Sequence, residues 1–81
     1  MNQTTNQKAP GQLKAEQHAD KASLLLVDAA NTEGPLRQEL VDAAKTHLNQ
    51  VKSWVVVTPE APQEAHDAVR EMSAALELFE S

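Results

Sequence analysis

The residues of this chain with chemistry to offer are three histidines and an uneven run of carboxylates. His18 and His47 are the more informative pair. Their midpoint falls between residues 32 and 33, beside the Gly34-Pro35 break. If that break folds two helices back on each other, the two imidazoles lie at the same height and face one another. Imidazole titrates near neutral pH and is a common metal ligand. A facing pair would make a pH-sensitive contact, or half of a metal site completed by carboxylates or a second protomer. Neither histidine has a carboxylate three or four residues away on its own face, so the pair falls short of a recognised metal site. Two satisfied histidines at a helix interface is the simpler reading. His66 lies near Arg70, off any apolar seam, and is expected to be merely exposed.

The carboxylates concentrate at one end. Residues 1–57 hold six acids and six bases, whereas residues 58–81 hold six acids and one base, Arg70. The whole net charge of −5 therefore belongs to the last segment. Glu60, Glu64, Asp67 and Glu71 recur there at helical spacing, and Leu78 interrupts the same edge as an apolar anchor. A solvated face that aids solubility is the ordinary meaning of such a run. The functional meaning is complementarity to a basic partner, such as a nucleic-acid-binding protein whose site this chain would occupy. Direct nucleic-acid binding needs a basic surface and is not expected.

Catalysis finds no support. Gly11 and Gly34 are the only glycines, so there is no phosphate-cradling loop. There is no cysteine, and no motif surrounds Ser23, Ser53, Ser73 or Ser81. The expectation is a non-enzyme with no cofactor.

The elements that must position these residues read as three amphipathic helices. A polar stretch over 1–12, ending in Pro10-Gly11, carries no periodicity and is expected to be a disordered tail. Helix one is predicted over about 13–31, with Ala15, Ala19, Ala22, Leu26 and Ala29 on one face and Leu25 and Ala30 widening it. Helix two is predicted over about 35–56, opened by Pro35 and striped by Leu36, Leu40, Ala44, Leu48, Val51 and Val55, with Val41 beside them. Trp54-Val55-Val56-Val57 is β-prone, but no second strand exists to pair with it, so helix is favoured. Thr58-Pro59-Glu60-Ala61-Pro62 is a stiff turn. Helix three is predicted over about 62–79, with Ala65, Ala68, Met72, Ala75 and Phe79 as its seam and Val69 and Leu76 alongside. Short connections favour an antiparallel hairpin or three-helix bundle, an all-α domain over 13–81. The near-repeat of Leu26-Val27-Asp28-Ala29-Ala30 as Leu40-Val41-Asp42-Ala43-Ala44 marks the first two helices as similar.

This is a small inventory for a core. The chain has 81 residues, with 13 Ala, 9 Leu, 7 Val, one Trp and one Phe. A domain of this size buries only about 60% of its unfolded surface. Such scaffolds need unusually close helix packing or oligomerisation. Helix one offers a means. With Ala15, Ala22, Leu26 and Ala29 turned inward, Leu13, Leu24 and Val27 point to the opposite side, at about 100° per residue. Scattered exposed leucines are common. A second apolar face is also what a self-associating helix needs, and a two-fold homodimer is the default symmetry.

The reading is therefore a small soluble interaction module, homodimeric or docked on another protein. The alternatives are an acidic mimic acting through Glu64, Asp67, Glu71 and Leu78, and a pH or metal sensor built on His18 and His47. The first residues are neither basic nor apolar, and no apolar run approaches the roughly 20 residues of a membrane span. The expected location is cytoplasmic, with no membrane partner.

Overall fold

The computed structural model describes residues 8–80. They form three helices: α1 (Gln12–Ala30), α2 (Pro35–Val57) and α3 (Gln63–Glu80). There is no strand among the described residues. The chain is an all-α bundle, elongated at 52 × 21 × 15 Å. Of the tail expected over 1–12, residues 1–7 lie outside the described residues. Lys8 to Gly11 lead into α1 through defined contacts: Lys8 Nζ donates to Glu16 Oε1 at 2.6 Å, and the Ala9 amide donates to Gln12 Oε1 at 2.9 Å.

α1 starts where Gly11 takes a left-handed backbone, φ 81°, which a residue with a Cβ adopts only at a cost. This glycine has a second duty. The Trp54 indole N–H donates to the Pro10 carbonyl at 2.7 Å, and a Cβ on Gly11 would stand 2.9 Å from that nitrogen. The bond fastens the start of α1 to the end of α2. Gly11→Ala is expected to lose it and to strain the backbone, costing about 1–2 kcal/mol. The thermal midpoint should fall by several degrees and Trp54 emission should shift toward that of a more exposed indole. Unchanged melting and emission would exclude this contact.

At the other end Arg37 does the fastening. Its Nε donates to the Thr32 carbonyl at 2.8 Å and to the Ala29 carbonyl at 3.2 Å, tying α2 to the last turn of α1 and to the turn that follows it. Its guanidinium carbon stands 6.0 Å from the Phe79 ring centroid, so one side chain touches all three helices.

The core runs along the α1–α2 seam and is closed by α3. Ala22, Leu26 and Ala29 of α1 meet Val41, Ala44 and Leu48 of α2, with Met72 and Leu76 of α3 laid across them. Ala22, Ala29 and Ala44 are completely buried, as expected where helix backbones approach closely. α3 is the lighter partner, burying two residues, with Ala68, Val69, Ala75 and Phe79 partly covered. Lys45 of α2 and Glu80 of α3 form an ion pair across their seam.

Two stripe assignments need correction. Leu36 is 54% exposed in the first turn of α2, one turn short of the first buried residue of that helix, Val41. Ala30 is exposed and does not widen the α1 face. Trp54 to Val57 is helical throughout, with the chain leaving the helix at Thr58, φ −122° and ψ 95°.

Candidate functional site

His18 and His47 do meet. Nδ1 of one lies 2.9 Å from Nδ1 of the other, and the ring centroids are 5.1 Å apart. Both rings are half-buried in the α1–α2 seam. One imidazole must donate and the other accept, so the contact requires at least one unprotonated Nδ1. Protonating both rings places hydrogens on both facing nitrogens and breaks the bond. Burial lowers the His18 pKa below the ordinary 6.5, and His47, Lys21 and Lys14 lower it further.

A histidine whose folded pKa is depressed stabilises the fold fully above about pH 6.5 and loses that contribution as pH falls below it. The thermal midpoint should hold steady down to about pH 7 and then decline toward pH 5.5, with about 1 kcal/mol at stake. Carrying His18→Gln, the protein should lose most of that slope. A midpoint independent of pH in this window would show that the pair has no influence on folding.

The pair supplies two ligands. No group of three or more His, Asp or Glu placed to hold a metal ion occurs among the described residues. His66 is exposed.

Leu13, Leu24 and Val27 are 60%, 66% and 55% exposed, on the side of α1 turned away from the core. Leu24 and Val27 are neighbours one turn apart, whereas Leu13 stands three turns earlier. Val56 and Val57, 83% and 74% exposed, add apolar surface at the end of α2. That patch was legible in principle: four consecutive apolar residues on a helix cannot all face inward.

The acidic edge of α3 is not uniform. Asp67 is engaged by Gln63 Nε2 at 3.0 Å and Arg70 at 2.8 Å, which hold its carboxyl below the usual range. Glu71 is exposed, as is Leu78. Glu64 instead lines a cleft of about 120 Å³ between α1 and α3. Its floor is alanine: Ala15 and Ala19 from α1, Ala65 and Ala68 from α3. Val51 and Trp54 close it from α2. Glu16 and Asp20 stand with Glu64 at its rim. Sequence reasoning confined the acidic surface to α3 and so missed the two α1 carboxylates. Only the packing of α3 against α1 unites the three.

No protein-family model, curated protein or solved structure matches this chain. No helix among the described residues is long and apolar enough to cross a membrane.

Proposed function

We propose that the chain is a small, non-catalytic protein-interaction module in which α1 and α2 form an antiparallel hairpin and the outer face of α1 docks on a second copy. The hairpin reading is supported by three contacts whose residue numbers sum to nearly the same value: Trp54 with Pro10, His18 with His47, and Arg37 with Ala29. The observation that carries the interaction reading is the exposure of Leu24 and Val27 opposite a complete buried face on the same helix. A helix apolar on both sides is stable in water chiefly when both sides are covered. The small core adds to the argument, since covering this face would add apolar burial at about 25 cal/mol per Å².

Light scattering coupled to size exclusion across a dilution series tests it. A dimer is expected for the parent chain, and Leu24→Asp should give a monomer of unchanged helicity. A parent chain that is monomeric at every concentration, or a variant that stays dimeric, would remove this interface.

A further inference from the structure

We infer that the α1–α3 cleft is a receptor for a single arginine side chain presented by a partner protein. This deepens the reading of the chain as an interaction module, and does not depend on self-association.

Size makes the first cut. A cleft of about 120 Å³ is well below the several hundred Å³ of a metabolite site. It holds roughly four waters' worth of volume, at about 30 Å³ each, which suits one long side chain. Its floor of Ala15, Ala19, Ala65 and Ala68 explains why it stays open, since methyl groups from two facing helices do not fill the space between them. That floor suits the aliphatic stem of the occupant.

Charge makes the second. Three carboxylates line the cleft, and no basic residue among the described residues does. Glu16 is already engaged by Lys8 and Gln12, and both hydrogen bonds lower its pKa. Asp20 and Glu64 are exposed and hold no hydrogen bond or ion pair among the described residues. A cationic head entering here meets two uncommitted carboxylates. The indole of Trp54 closes the cleft with its only polar atom bound to Pro10, so what it offers the occupant is its ring. An aromatic ring and more than one carboxylate lining the same cleft favour guanidinium over ammonium. Arginine is planar, stacks on aromatics and bonds carboxylates through two donors at once.

Trp54 is the only tryptophan in the chain, so the cleft carries its own reporter. The experiment titrates the full chain with a short arginine-containing peptide and with the same peptide carrying neutral citrulline. Trp54 fluorescence is followed in each case. The arginine peptide should give a saturable change, and the citrulline peptide should bind at least about tenfold more weakly. The double variant Asp20→Asn, Glu64→Gln should lose about tenfold in affinity for the arginine peptide while keeping its circular dichroism, since both residues are exposed. Raising ionic strength from about 0.05 to 0.5 M should weaken binding several-fold. The absence of a saturable change, equal binding of the citrulline peptide, or undiminished binding by the double variant would overturn the assignment. A chain that proves monomeric yet binds the peptide would sink the self-association reading and leave the cleft standing.

Discussion

Leu48→Ala is expected to cost about 2–5 kcal/mol and to bring the protein close to unfolding at room temperature. Leu48 is 2% exposed and sits where all three helices meet, packed with Val41, Ala44, Met72 and Leu76 in one cluster. Removing its isobutyl group leaves a cavity that neighbouring alanines are too small to fill. Domains of ordinary size hold about 5–15 kcal/mol of stability, and one this short sits toward the lower end. A urea titration followed by circular dichroism measures the shift in midpoint. Val57→Ala is the matched control. Val57 is as apolar but lies exposed at the end of the same helix, so its loss should stay within about 0.5 kcal/mol. Similar midpoints for the two variants would mean that α2 does not bury the face assigned to it.

The inner face of α1 was legible because helical periodicity is a strong signal when nothing competes with it. Ala15, Ala19, Ala22, Leu26 and Ala29 recur at alternating steps of four and three, and all but the half-buried Ala19 are buried. The same reasoning failed at Leu36 because periodicity reports direction around an axis and not what stands opposite. Leu36 falls on the stripe by direction, yet it stands in the first turn of α2 and is 54% exposed. Trp54 to Val57 shows the reverse case. Local preference there is for strand, and with no strand to pair with among the described residues, intrahelical bonds are the available way to satisfy the backbone.

The candidate sites divide in the same way. The approach of His18 to His47 could be anticipated from symmetry about the turn, since it needs only a hairpin and equal distances. The cleft could not. Glu16 and Asp20 lie in a segment of balanced charge, and nothing in their spacing ties them to Glu64, more than forty residues away. The fastenings by Trp54 and Arg37 were hidden for another reason. Both bond to backbone carbonyls, which carry no trace in the sequence.

Ala22→Leu is expected to be nearly as damaging as the cavity at Leu48, by the opposite route. Ala22 is completely buried in the α1–α2 seam. Leucine has almost the helix propensity of alanine, so any loss reports packing alone. An isobutyl group in place of a methyl forces the helices apart or displaces Leu26 and Ala44, at about 1–3 kcal/mol or more. Ala30→Leu, on the exposed side of the same helix, should cost little and serves as the reference. The variant also tests whether the histidine contact depends on alanine packing. His18 lies one turn before Ala22 and reaches His47 only if the helices stay close, so widening the seam should break the 2.9 Å approach. Ala22→Leu should therefore lose both thermal stability and most of the pH slope between about 7 and 5.5. If stability falls and the slope persists, the imidazoles are held together by something other than the alanine seam. If neither changes, the helices already have room for leucine, and alanine is not what sets their separation.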